Sequence, residues 1–325
     1  MHGWIILDKP LGMGSTQGVG AVKRALREGG YAKVKVGHGG TLDPLATGVL
    51  PIALGEATKL AGRMLDSHKV YEFAVAFGTE TDTLDLEGKV IATSDVRPTL
   101  AQIKAALPMF TGPINQIPPA YSALKIDGAR AYDLARAGEE VVLATRLITV
   151  HSLEVSKSHP QPLHEGVEGS LQRTLAPLQP LLEGLGVAPS APSSITLTAH
   201  VSKGTYIRSL ARDIARALGT VGHVTMLRRT KAGPFTLENA ISLDLLFEKS
   251  KSQRLEDICL PLTAGLDDIP ALPVTPDQAG LLRQGRVLIG IAAHDGLHLA
   301  KDGEMPVALV EVIAGNIRVV RGFNL

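Results

Sequence analysis

A single cysteine, Cys259, is present in the 325 residues. One thiol excludes an internal disulfide framework and any site built from several thiolates, as expected of a protein in a reducing compartment. The residue itself reads as a small buried hydrophobe. Long hydrophobic runs are also lacking. The opening MHGWIILDKPLG is too short an apolar stretch for a signal peptide, and no segment approaches the roughly 18 apolar residues of a membrane span. A cytoplasmic protein with no membrane partner is the expectation. An excess of either sign is missing too: 33 basic residues against 32 acidic ones give a net charge of +1, which argues against a strongly basic nucleic-acid binder.

Familiar chemical signatures are equally absent. No G-x-x-x-x-G-K-[ST] occurs, so there is no Walker loop. The ten histidines are scattered, with no H-E-x-x-H and no cysteine pair, which excludes a zinc-dependent base deaminase by ligand count. G-x-S-x-G is missing, and with it the elbow of a serine hydrolase. A strand, glycine loop and helix at the N-terminus suggest a dinucleotide cradle, but Gly12, Gly14 and Gly18 give G-x-G-x-x-x-G. Pro10 interrupts the strand exit, and Val34 to Val36 lead into GHGG where an acid is wanted. No metal and no cofactor is expected.

What is there suits an ordinary globular protein. A length of 325 residues and 45% apolar content allow about two domains with a sizeable core. Residues 4 to 7 read as a strand, and 9 to 14 as a loop. A helix follows, capped by Ser15 or Thr16, with Val19, Val22 and Leu26 on one face and Gly29-Gly30 at its end. Residues 37 to 48, with four glycines and a proline, read as a long irregular loop. Tyr71, Phe73, Val75 and Phe77 alternate along a strand. Helices are expected near 99 to 107 and 131 to 137.

The runs 147 to 155 and 195 to 201 read as a two-strand ladder, with 156 to 194 as an insertion or mobile excursion between them. Beyond it, Ile207, Leu210, Ala211, Ile214 and Leu218 form a helical stripe beside Arg208, Arg212 and Arg216. Between Ala199 and Lys231 seven basic residues (Lys203, Arg208, Arg212, Arg216, Arg228, Arg229, Lys231) face one acid, Asp213. Such a cationic face would let a near-neutral protein meet phosphates. Pro261 to Pro276 reads as a linker, and the runs LHLA, VALVEVI and IRVVRGF as a small all-β domain. There is no internal repeat.

Asp43, in GGTLDPLATG, is the remaining chemical candidate. An Asp before Pro in a glycine loop is ordinarily a turn residue. Pro44 nevertheless biases Asp43 to an extended backbone, and the flanking glycines permit close approach, so the carboxylate could be presented outward.

The blocks GHGGTLDPLATGVLPIALGEATKL, KVYEFAVAFGTETDTLDLEG, QIPPAYSALKIDGARAYDLAR and SKGTYIRSLARDIARALGTVGHVTMLRR, with the opening WIILDKPLGMGS, closely resemble the bacterial TruB family of tRNA pseudouridine synthases. The resemblance covers roughly residues 3 to 154 and 195 to 245. It implies an α+β pseudouridine synthase fold, a mixed and mainly antiparallel sheet with flanking helices, over residues 1 to 262, with 156 to 194 inserted. It also implies a small β-rich PUA-like RNA-binding domain over 270 to 325. The implied reaction is isomerisation of uridine 55 in the T loop of tRNA, and tRNA is the implied partner of a monomeric enzyme.

The same resemblance implies the roles. Asp43 attacks the sugar or promotes glycal formation, and both routes stay open. Arg208 holds it ionised against desolvation. Tyr71 stacks on the everted base and carries a proton. Tyr206 and Leu227 line the pocket, and His38 contacts the RNA loop. Lys9 and Lys59 are phosphate-facing or structural. Arg228, Arg229 and Lys231 are phosphate contacts, or else solvated charge. A second class, a non-catalytic tRNA-binding or tRNA-folding protein, is opposed by the joint presence of Asp43, Tyr71, Arg208 and Tyr206.

Overall fold

The computed structural model describes residues 1–126, 128–156 and 192–325. They form two compact units, one of Met1–Ser67 with Lys231–Leu325 and one of His68–Thr230.

In the first unit the strand Gly3–Lys9 pairs antiparallel with Ala46–Leu54, from Gly3 opposite Leu54 to Lys9 opposite Gly48. Leu260–Pro261 adds to the free edge of Gly3–Lys9, and Val36–His38 pairs with Ala46–Leu54. Every residue of Ala46–Leu54 is buried, as suits a short continuous apolar run. The expected loop over 37 to 48 therefore shrinks to 39 to 45. Strand pairing orders the glycines at its margins, Gly48 opposite Lys9 and Gly37 opposite Ala53, which local composition cannot reveal. The helix Ser15–Glu28 lies close against the sheet because a Cβ at Gly18 would meet Leu50 at 3.0 Å. Its N-cap is Gly14, whose N–H donates to Gln17 Oε1 at 2.7 Å. The cap is thus neither of the two expected residues, Ser15 or Thr16, and Ser15 instead bridges Leu42: its hydroxyl donates to the Leu42 carbonyl and accepts from the Leu42 N–H.

Pro261 to Pro276 is no linker. Leu262 and Leu266 are buried with Trp4, Phe235, Leu309 and Phe323 in one core, and Trp4 Nε1–H donates to the Leu262 carbonyl at 3.1 Å. A second sheet follows in the order Ala271–Pro273, Gly296–Asp302, Met305–Ile313, Asn316–Gly322, with the first pair parallel and the rest antiparallel. The turn between its last two strands places Ala314 and Gly315 at φ 49° and 75°. This region is not purely β. The helix Pro276–Arg283, capped by Thr275, packs Ala279 and Leu282 into the second sheet's core.

The second unit is built on the strand order Gly112–Gln116, Arg146–Val155, Ser194–Val201, Lys69–Phe77 and then Gly222–Ala232 as far as Thr230. The ladder expected between Arg146–Val155 and Ser194–Val201 is present and antiparallel. The insertion expected between these strands falls on residues outside those described, apart from Ser156 and 192–194. Phe73, Val75 and Phe77 alternate into the core, where Ile207, Leu210, Ala211 and Ile214 of the helix Ile207–Ala217 meet them. Burying each large aliphatic side chain stabilises by about 1.5–3 kcal/mol, which anchors one face of that helix and leaves its arginines to be positioned by it. Short helices cover Leu100–Ala106 and Ala131–Arg136, close to expectation. Among the described residues no helix is long and apolar enough to cross a membrane.

Candidate active site

Asp43, Lys9, His38 and Lys59 lie in the first unit. The stretch around Asp43 is tied down on both sides. Ser15 holds Leu42, which is buried, and the Lys9 ammonium donates to the carbonyls of Pro10 (3.0 Å), Met13 (2.6 Å) and Pro44 (3.3 Å). Gly12 N–H also donates to the Pro44 carbonyl, and Ala46 N–H to that of Asp43. Asp43 itself is half-buried between buried Leu42 and exposed Pro44. The loop thus fixes the backbone of a carboxylate that solvent can still reach.

For Lys9 and Lys59, burial and partners favour the structural one of the two roles left open. Lys9 is 0% exposed, so it is a loop staple and no phosphate-facing cation. A buried ammonium is tolerated because its donors meet carbonyls. Lys59 is likewise structural: its ammonium pairs with Glu56 at 2.6 Å and donates to the Gly322 carbonyl at 2.9 Å. Burial alone would raise the Glu56 pKa, but the hydrogen bonds from Lys59 and from Asn324 N–H hold it below its ordinary value. His38 ends its short strand with Nδ1 accepting from Gly40 N–H at 3.4 Å.

Tyr71, Tyr206, Arg208, Leu227, Arg228 and Arg229 lie in the second unit. Tyr71 and Leu227 are partly buried against its core. Tyr206 is the residue that caps the arginine helix, and its backbone is clamped by Gln116. Two residues on, Arg208 is 6% exposed, with Nη1 donating to Thr83 O at 2.8 Å and Nη2 to Tyr121 O at 3.0 Å. Asp85 Oδ2 stands 3.4 Å from the same guanidinium. Asp85 is in turn held by Thr83 Oγ1–H and Glu87 N–H. Tyr121 OH donates to Asp82 at 3.3 Å, and burial, then Asp82, push its pKa up. This hydrogen-bonded turn needs Gly88, because a Cβ there would collide with Asp82 and Thr83.

The cationic face expected from the arginine helix is largely neutralised. Besides Arg208 with Asp85, Arg212 pairs with Asp213 and Arg216 with Glu80, each at 2.8 Å. Arg229, expected to contact phosphate, is 1% exposed and so is no surface cation. Arg228 is half-buried, and Lys203 and Lys231 are exposed. Gln116 and Asp85 escaped the sequence reading as site residues. Both lie within the recognised blocks or next to them, but only three-dimensional pairing with residues 90 and 123 positions away reveals what they hold.

Solved structures with this fold include a chain of an H/ACA RNP bound to a substrate RNA containing 2'-deoxyuridine, with a TM-score of 0.68 and 21% identity over 99% of this chain and 85% of that one. A chain of the archaeal box H/ACA sRNP Nop10-Cbf5 complex gives a TM-score of 0.66, also at 21% identity, over 99% and 86%. The architecture is therefore the α+β pseudouridine synthase fold with a β-rich C-terminal part. The family model for the TruB family pseudouridylate synthase N-terminal domain matches residues 27–171, and that for the tRNA pseudouridylate synthase B C-terminal domain matches 208–267. Proteins named tRNA pseudouridine synthase B from Novosphingobium aromaticivorans and Zymomonas mobilis are 62% and 55% identical, over all of this chain and 98% and 96% of theirs. The chain belongs to the TruB family of pseudouridylate synthases.

Proposed function

We propose that the chain isomerises uridine to pseudouridine in tRNA, at position 55 of the T loop, with Asp43 as the catalytic carboxylate. The C–N glycosidic bond breaks and the same uracil is rejoined to the ribose through carbon, so no group enters or leaves and no net redox change occurs. A carboxylate suffices for such chemistry, and neither metal nor cofactor has a step to perform. The observation that carries the proposal is the Asp43 loop. In a chain of this family, Lys9 and Ser15 hold the backbone on either side while the carboxylate stays half-buried rather than sealed in the core.

In this reading Tyr71 receives the everted base, and Tyr206 and Leu227 surround it. Arg208 is the cation that keeps Asp43 ionised during reaction, as the family resemblance implies. His38 and Arg228 contact the RNA. Residues 1 to 262 form the catalytic domain and 270 to 325 a PUA-like RNA-binding module, in a monomeric cytoplasmic enzyme. Base extrusion costs roughly a few kcal/mol, and stacking on an aromatic ring returns about 1–3 kcal/mol.

The test compares the wild type with Asp43→Asn on an unmodified T-stem-loop RNA. Binding within about tenfold and complete loss of pseudouridine are expected, since the substitution removes the charge while preserving shape. Pseudouridine formed by the variant would remove Asp43 from its role. Binding by the wild type without any pseudouridine would favour the tRNA-folding reading.

A further inference from the structure

Three of the ten histidines, His68, His151 and His200, come together on one face of the second unit's sheet. Register explains why. His200 sits on Ser194–Val201 opposite Val70 on one neighbouring strand and Ser152 on the other. Alternation sends Leu197, Ala199 and Val201 into the core and turns His200 to the opposite face. The same alternation puts His68, just before Lys69–Phe77, on the face of Val70 and Glu72, and puts Lys69 on the other.

His151 needs a further device. Val150 and Leu153 are both buried although three positions apart, which strict alternation cannot give. A bulge between Val150 and Ser152 inserts His151 as the extra residue. Bulges re-aim side chains in this way, and here His151 joins His68 and His200. The His68 and His151 rings stack at 4.4 Å with 9° between their planes, while His200 lies 4.7 Å from His151 and 5.7 Å from His68. One ring nitrogen of each lies within 4.8 Å of those of the other two.

We propose that His68, His151 and His200 form a binding site for one divalent transition-metal ion of the zinc, cobalt and nickel class, independent of the isomerisation. Imidazole nitrogens suit these borderline ions, whereas magnesium and calcium demand oxygen. Zinc–nitrogen bonds of about 2.0–2.1 Å in tetrahedral geometry put ligand atoms about 3.3 Å apart. The nitrogens therefore draw in by up to about 1.5 Å from their 4.8 Å limit, which ring rotation supplies because His68 and His151 are exposed. Three nitrogens leave the fourth tetrahedral position to water. Both Glu72 and Glu154 are opposite Thr198, one pleat along the same face, so the surroundings favour a cation over a phosphate.

The test titrates tag-free, full-length protein with zinc by calorimetry and with cobalt by visible absorption. One saturable ion per chain is expected, with cobalt d–d bands, a zinc-dependent rise in thermal midpoint, and no competition from magnesium. His151→Ala and His200→Gln should each weaken zinc by about 10–100-fold or more, at least the loss seen when only an outer-shell partner is removed. His294→Gln, in the first unit, should change nothing. Should His200→Gln fail to fold, His151→Ala at its exposed position still reads the site. Zinc held as tightly by a variant lacking all three imidazoles, or no saturation of folded wild type up to about 100 μM, would overturn the proposal.

Discussion

Gln116 and Tyr206, 90 positions apart, exchange two hydrogen bonds: Tyr206 N–H donates to Gln116 Oε1 at 2.8 Å, and Gln116 Nε2 donates to the Tyr206 carbonyl at 3.2 Å. Gln116 is 2% exposed, so both bonds are shielded from water. They set the direction in which the arginine helix starts. Gln116→Leu removes both while keeping bulk, leaving a buried N–H without its acceptor at a cost of about 1–3 kcal/mol. Denaturant unfolding should show that loss, and the tRNA KM should rise more than kcat falls. An unchanged KM with reduced stability would make the clamp purely structural.

Asp85 stands against Arg208 in the same way that Gln116 stands against Tyr206. Both are buried, and removing one member of a buried ion pair leaves the other charge uncompensated, typically at about 3–5 kcal/mol. Asp85→Asn keeps an acceptor for Glu87 N–H, so its cost should lie at or below the low end of that range. Turnover should fall further than the unfolding midpoint accounts for, because Arg208 loses its orientation. Wild-type turnover in Asp85→Asn would show that the carbonyls of Thr83 and Tyr121 suffice to hold the guanidinium.

These two pairs mark where legibility from sequence ends. The alternation of Tyr71, Phe73, Val75 and Phe77 and the stripe from Ile207 to Ile214 report burial directly, because the period of apolar residues is the period of the element. The cationic face misled for a physical reason: Glu80 and Asp85, which neutralise Arg216 and Arg208, lie more than 120 positions upstream and are invisible to any local count. Pro261 to Pro276 reads as a linker because its burial is decided by Trp4 at the far end of the chain. For Lys9 the sequence leaves two roles open, and only the carbonyls of Met13 and Pro44 choose between them.

The Glu56–Lys59 pair makes stability depend on pH. The folded Glu56 carboxyl has a pKa below its ordinary 4.5, so it binds protons less readily folded than unfolded. Its contribution is therefore present above about pH 4.5 and lost as pH falls through the lower folded value. Urea midpoints measured from pH 6 to pH 3 should decline, and Glu56→Gln should flatten part of that decline. A parallel curve for the variant would exclude Glu56 as its source.

Cys259 should be inert. Burial pushes its pKa up to about 11 from an ordinary 9.0, so the thiolate fraction at pH 8 falls by about 100-fold. Reaction with a disulfide reagent at pH 8 should be slower than that of a free thiol by about tenfold or more, since the higher-pKa thiolate is the better nucleophile and offsets part of that loss, and should become fast in denaturant. Rapid labelling of the folded protein would show that the strand Leu260–Pro261 opens readily from Gly3–Lys9.

Neighbouring arginines should separate electrostatic binding from folding. Arg228 and Arg229 are adjacent on Gly222–Ala232 and so point to opposite faces, one half-buried and the other 1% exposed. A residue that neutralises a phosphate contributes about 0.7–0.9 to the slope of log K against log salt. Arg228→Gln should reduce that slope for tRNA by about this amount, with little change in unfolding midpoint. Arg229→Gln should leave the slope intact and lower the midpoint, because a buried guanidinium is replaced by a shorter neutral group. The reverse pattern would mean that Arg229 reaches the RNA in the complex, which requires that strand to rearrange on binding.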